Sequence, residues 1–287
     1  MSISYFMLKR KVKMQKKKVV LIRWSMYISA AIVIGTILFV SAYILISGLT
    51  NINPSLFEFE YNSTNVSLFP AFVNTITIMF LALALSVPVG IFSAVYLTEY
   101  ASKSNKLVKY IRLAAETLSG IPSIVYGLFG MLLFVVYLKM GYSILAGAFT
   151  LAIMVLPVIM RTAEEALIAV PDTFREGSFG LGAGKLRTTF KIILPSAFPG
   201  IFAGIILSVG RIFGETAALI FTAGTATGIA QNISASGRTL AVHLYNISSE
   251  GLYMKQAAAT AAVLFIMVII INSAAYFVAG KLGKGKD

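Results

Sequence analysis

Apolar residues run along this chain in long blocks. No charge occurs in the 34 residues between Arg23 and Glu58, or in the 38 between Glu60 and Glu99. Further uncharged runs cover Thr117 to Leu138, Met140 to Met160, Ile192 to Gly210 and Gln256 to Gly280. A helix needs about 20 apolar residues to cross the hydrocarbon core of a bilayer. Only helices and closed barrels satisfy their backbone hydrogen bonds in lipid, and the period-two alternation of a barrel strand is absent. The pattern predicts an all-α polytopic membrane protein with about six transmembrane helices, near 24–48, 70–97, 118–138, 143–160, 197–223 and 256–279. A seventh uncharged run, Thr216 to Gly237, is rich in Thr, Ser and Gly and too polar to span alone.

Composition agrees with the pattern. Of 287 residues 58% are hydrophobic and 12% charged, about half the charged share of a soluble domain. The 24 basic residues are placed asymmetrically. Eight precede the first span (Lys9, Arg10, Lys11, Lys13, Lys16, Lys17, Lys18, Arg23), and Lys103, Lys106, Lys109 and Arg112 separate the second from the third. Arg161, Arg175, Lys185, Arg187 and Lys191 lie between the fourth and fifth, and Lys281, Lys284 and Lys286 close the chain. Lys139, Arg238 and Lys255 fall on the other side, and Arg211 lies inside a span. The positive-inside rule puts both termini and the two basic loops in the cytoplasm. The net charge of +13 is therefore a topology signal, suited to anionic lipid headgroups, and no nucleic-acid partner is expected.

The expected organisation is a basic tail over 1–23, a first helix and outer loop over 24–69, a core over 70–280 with a cytoplasmic loop at 161–196, and a basic tail over 281–287. The first apolar run is too long for a signal peptide and reads as a retained anchor. With no cysteine, disulfides and thiolate metal sites are excluded, and His243, the lone histidine, is weak evidence for a metal. No metal site and no cofactor are expected.

Two stretches carry candidate chemistry. From Arg161 to Lys191 the chain is polar and punctuated: Pro171, Asp172 and Thr173 stop one helix and start another. Gly180, Gly182 and Gly184 then permit a tight turn, and Pro195 can open the next span. The stretch predicts a short helix, a turn and a second short helix. Inside the fifth span, Arg211 and Glu215 stand four apart, on one helix face where they can pair. An ionised side chain at membrane depth must face protein or water, and the planar fork of arginine suits a tetrahedral oxyanion. Gly182-Ala-Gly-Lys185 imitates a phosphate-binding loop but lacks glycine at Phe179 and a hydroxyl at Leu186. Glu164 and Glu165 read as a solvated or partner-facing patch.

Glu176, Gly177, Ser178, Gly182, Ile192, Leu194 and Pro195 resemble the EAA loop of type I ABC importer permeases, with both alanines replaced by small residues. Gly120-Ile-Pro-Ser-Ile-Val-Tyr-Gly127, Arg161-Thr-Ala-Glu-Glu165 and Arg211-Ile-Phe-Gly-Glu-Thr216 are similar to the phosphate-importing branch, the PstA-type permeases. The resemblance implies the type I permease fold and a non-catalytic subunit of the inner membrane forming half of a phosphate pathway. It also implies three partners: a second permease (PstC-like), a cytosolic ATPase dimer (PstB-like) coupled through those seven residues, and an extracytoplasmic phosphate-binding protein (PstS-like). Arg211 and Glu215 would line the pathway. An ion-coupled secondary anion carrier is the rival, although it needs no EAA-like loop. Sulfate and molybdate, also tetrahedral, stay open as substrates.

Overall fold

A computed structural model describes residues 2–102 and 105–284; Lys103, Lys286 and the rest of 285–287 lie outside the described residues. The fold is all-helical, with no strand among the described residues. In chain order come α1 (Ser2–Leu49), α2 (Phe69–Val95), α3 (Lys106–Ser119), α4 (Ser123–Gly130), α5 (Ile144–Ile168), α6 (Asp172–Gly180), α7 (Lys185–Thr188), α8 (Leu194–Gly214), α9 (Ala217–Ile220), α10 (Leu240–Glu250) and α11 (Met254–Lys284). Wider π-helical turns extend α2 through Tyr96–Tyr100, α4 through Met131–Tyr137, and join α7 to α8 through Thr189–Ile193.

Five stretches are long and apolar enough to span: Ile22–Leu49, Phe69–Tyr100, Ile144–Ile168, Lys185–Gly214 and Met254–Ala274. The sixth is a bent pair, Lys106–Ser119 and Ser123–Tyr137, which meet at 103°. The bend sits at Gly120, Ile121 and Pro122. The Gly120 and Ile121 N–H groups close on Thr117 and Leu118, and Pro122, which has no N–H, starts α4. The expected third span, 118–138, is thus broken: Leu118 and Ser119 belong to α3, and the rest follows the bend from Ser123. α3, carrying Lys106, Lys109 and Arg112, is a separate helix whose charges suit the headgroup layer.

Other boundaries also differ from expectation. The basic tail is helical and continuous with the first span. α5 runs past residue 160 to Ile168, because Arg161 and Glu165 point outward while Ala163 and Leu167 stay buried. The fifth span starts at Lys185 and stops at Gly214 instead of reaching 223.

α5 is the central element: 67% of its most apolar stretch is buried within the protein, against 0% for α1. Between helices in lipid the hydrophobic effect contributes little, so close approach of small residues has to provide dispersion contacts. A Cβ at Gly90 of α2 would overlap Ile159, one at Gly204 of α8 would overlap Thr162, and one at Gly130 would overlap Thr150. The midsection of the core joins Ile78, Leu151, Val155, Ile159, Ile212, Phe213 and Leu219. A second cluster, at the end bearing α6, joins Val95, Leu97, Val108, Leu167, Ile193 and Ile201. α1 packs on α11, where Gly48 lies against Ala258 and Ala262.

Candidate translocation and coupling site

Gly214 ends α8, and the backbone at Glu215 turns extended (φ −75°, ψ 123°). The Ala218 N–H donates to Glu215 Oε1 at 3.1 Å, so the carboxylate caps the short helix α9, taking up one of the N–H groups a helix start leaves free. Glu215 is 8% exposed and Arg211 is half-buried. The ion pairs among the described residues are Arg112–Glu164, Arg175–Glu99 and Arg175–Asp172. The expected Arg211–Glu215 pair does not form. The four-residue rule assumes a helix that continues, and this one ends between the two side chains. Arg211 lies instead within electrostatic reach of Tyr126 on α4, whose hydroxyl donates to the Leu118 carbonyl at 2.8 Å. Next to it, Gly210 faces Asn272 of α11. Among the described residues no carboxylate pairs with the Arg211 guanidinium.

The stretch from Asp172 to Pro195 folds as a helix, a turn and a second helix. Gly182 makes the turn at φ +81°, a conformation that costs glycine little. Ser178 is buried, its hydroxyl 2.8 Å from that of Thr188, which ties α6 to α7. Gly177 faces open space and Glu176 is exposed. Ile192 lies in the π-helical turn, and Leu194 and Pro195 begin α8. The turn presents large apolar side chains outward: Leu181 at 91% exposure and Leu186 at 67%, with Phe174 and Phe179 nearly half exposed. An apolar cluster of this kind marks a contact surface.

Glu164 departs from the expected solvated patch. It is buried on α5 and pairs with Arg112 of α3 at 2.6 Å, while Glu165 is exposed. The two carboxylates are consecutive on a helix, so one can face the core and the other water. His243 is fully buried on α10, edge-on to Tyr61. Burial, and then the nearby Arg238 guanidinium, push its pKa down to about 3, so it is neutral at pH 7. No group of three or more His, Cys, Asp or Glu side chains that could hold a metal occurs among the described residues.

Two polar anchors escaped sequence reasoning. Asn74 of α2 is buried and binds the backbone at Gly228, Ala230 and Arg238. The only signal was a polar amide inside a 38-residue uncharged run. Arg175 forms a fork with Glu99, and nothing at 76 residues' separation foretold it.

The family model described as "Binding-protein-dependent transport system inner membrane component" matches residues 86–285. The probable ABC transporter permease protein YqgI of Bacillus subtilis is 35% identical over 269 residues, covering 86% of this chain and 90% of that protein. A phosphate transport system permease protein PstA homolog of Mycoplasma pneumoniae is 32% identical over 257 residues; the alignment covers 85% of this chain but only 39% of the longer relative. Phosphate transport system permease protein PstA 1 of Mycobacterium tuberculosis is 41% identical over 143 residues, half of this chain and 46% of the relative. Among solved structures, the fold is shared with a bacterial alginate ABC transporter (TM-score 0.64, 16% identity, 90% and 96% covered). It is shared also with the MetNI methionine ABC transporter (TM-score 0.57, 20% identity, 75% and 94% covered). With a family match over most of the chain and a relative of the same kind along nearly its whole length, the carrier reading falls away: the chain belongs to the inner-membrane components of binding-protein-dependent transport systems and is a multi-pass permease subunit of an ABC importer.

Proposed function

We propose that this permease imports inorganic phosphate, forming half of the pathway with a second, PstC-like permease. A PstS-like binding protein delivers the anion to the outer mouth, and a PstB-like ATPase dimer drives the cycle from the cytoplasm. The chain itself makes and breaks no covalent bond. The observation that carries the reading is Arg211, a half-buried guanidinium without a carboxylate partner at the end of α8. Its planar fork can offer a tetrahedral oxyanion two parallel charge-assisted hydrogen bonds. Lysine would present only a point charge. The relatives named for phosphate transport support the same substrate. Glu215 lines the pathway beside Arg211 by capping α9 rather than by neutralising the arginine, which leaves the positive charge available.

On the cytoplasmic side, Glu176, Gly177 and Ser178 belong to the helix that docks into the ATPase. Gly182 sets its angle, and Ile192, Leu194 and Pro195 connect it to α8. Leu181, Leu186, Phe174 and Phe179 supply the apolar contact, which a partner would desolvate as the core of its interface.

The test is ATP hydrolysis by the complex that co-purifies with a tagged copy of the chain, reconstituted with its binding protein and given phosphate, sulfate or molybdate in turn. Stimulation by phosphate alone is expected. Stimulation by sulfate or molybdate instead would reassign the substrate, and absence of an ATPase from the complex would remove the docking role of α6.

A further inference from the structure

If α6 receives the ATPase, its displacement must reach the outer face through some connection in the fold. Chain continuity links α6 to α5 through Pro171 and to α8 through α7. One connection joins parts of the chain that are far apart in sequence. The Arg175 guanidinium uses all three of its nitrogens. Nε donates to Glu99 Oε1 at 3.2 Å and Oε2 at 3.4 Å, and Nη2 donates to Glu99 Oε1 at 2.7 Å and to the Leu167 carbonyl at 3.0 Å. Nη1 donates to the Val170 carbonyl at 2.9 Å and to Asp172 Oδ1 at 3.1 Å. The Leu167 carbonyl lies in the last turn of α5, where helix carbonyls lose their intrahelical partners, and Val170 follows just past its end. One side chain therefore fastens α6, the end of α5 and the end of α2. The fastening is largely shielded from water, with the Arg175 and Glu99 side chains 17% and 8% exposed.

Glu99 sits in the π-helical turn Tyr96–Tyr100 that ends α2. The next residue, Tyr100, has the Lys185 ammonium 5.2 Å from its ring centroid, a cation–π contact from α7. The helix-turn-helix thus grips α2 at two adjacent residues. From there α2 runs 32 residues through the protein, about 48 Å at 1.5 Å per residue.

Its far end is clamped as well. Asn74 Nδ2 donates to the carbonyls of Gly228 and Arg238 at 3.0 and 3.2 Å, and Asn74 Oδ1 accepts from the Ala230 N–H at 3.0 Å. Thr75 Oγ1 accepts from the Leu240 N–H at 2.8 Å. Both side chains are at most 1% exposed. They hold the irregular segment between α9 and α10, and α9 is the helix that Glu215 caps beside Arg211. Directional hydrogen bonds fix each end of α2 where apolar surfaces alone could slide.

We propose that Arg175 and Glu99 are positioning residues that couple displacement of α6 to α2, and that Asn74 and Thr75 pass it to the outer segment between α9 and α10. The inference rests on the docking of α6 and the import of phosphate argued above. The test uses proteoliposomes of the whole complex and reads phosphate taken up per ATP hydrolysed, with ATPase co-purification as a separate reading. Glu99→Gln and Asn74→Ala, at opposite ends of α2, are each expected to keep the ATPase bound and hydrolysing while uptake per ATP falls about tenfold. The chain has no cysteine, so Glu99→Cys with Arg175→Cys offers a unique pair within it. A short bis-methanethiosulfonate reagent, which forms a disulfide with each cysteine and releases methanesulfinate, should restore uptake per ATP in that double variant, and neither single variant should respond. Unchanged uptake per ATP in Glu99→Gln, loss of the ATPase from that variant, or failure of the cross-link to restore coupling would each overturn the proposal. A wild-type complex without ATPase or phosphate uptake would overturn the functional reading first.

Discussion

Arg175 and Arg211 are both arginines with a glutamate close by, and their surroundings are opposite. Around Arg175 every guanidinium nitrogen meets a carboxylate or a carbonyl, and three helices converge on it. Arg211 meets no carboxylate, because Glu215 has left the helix to cap α9. A saturated guanidinium holds structure together; it has no donor left for a ligand. In the role proposed for Arg211, an unsaturated guanidinium inside a span is costly, and an arriving anion would remove that cost. The residue type alone does not separate the two roles. The fate of the neighbouring carboxylate does.

The sharpest way to break this contrast is Arg211→Gln. Losing two charge-assisted bonds to the anion should lower phosphate uptake about 100-fold, with the complex still assembling. Uptake at the wild-type rate would end the case for an anion-binding Arg211. Next in size is Leu181→Asp on the exposed turn. A carboxylate in the centre of an apolar interface should weaken ATPase binding roughly 10- to 100-fold, read as loss of co-purification at unchanged folding of the permease.

A smaller effect sharpens the role of Glu215. Glu215→Ala removes the acceptor for the Ala218 N–H and should cost about 1 kcal/mol of stability, together with part of the uptake. Glu215→Gln keeps an acceptor oxygen, so it should recover most of the stability. If Gln proves as damaging as Ala to stability, the carboxylate acts through its charge and not as a cap.

An effect on stability alone, with no loss of uptake at pH 7, tests a third polar centre, buried and uncharged. His243 is neutral in the fold, with its pKa pushed down from 6.5 to about 3 by burial and by Arg238. The unfolded imidazole takes up a proton as pH falls below 6.5, and the folded one does not until about 3. Stability is therefore fully present above 6.5 and is lost on acidification, by about 1.4 kcal/mol per pH unit within that window. Thermal unfolding at about one and two pH units below 6.5 should show this slope in the wild type. The slope should flatten in His243→Gln.

Much of the architecture was legible in the order of residues. Runs such as Arg23 to Glu58 and Gln256 to Gly280 are membrane-length, and lipid leaves helices few alternatives. Lysine and arginine sorted the loops by side. Pro171 with Gly182 announced the cytoplasmic helix and its turn. These are local rules, each governed by a few neighbouring residues. Glu164 shows where they stop: it reads as half of a solvated or partner-facing acidic pair, yet it is buried on α5 and paired with Arg112, 52 residues away.

The presence of membrane-length helices and the turn near Gly182 were thus determined by the sequence alone, because solvation and backbone sterics act residue by residue. Which arginine is free, which glutamate becomes a cap, and how Asn74 and Glu99 pin the two ends of α2 were decided only by the tertiary structure. The reason is physical: a hydrogen bond depends on where donor and acceptor meet in space, and only the packed fold brings together groups 76 or 154 residues apart.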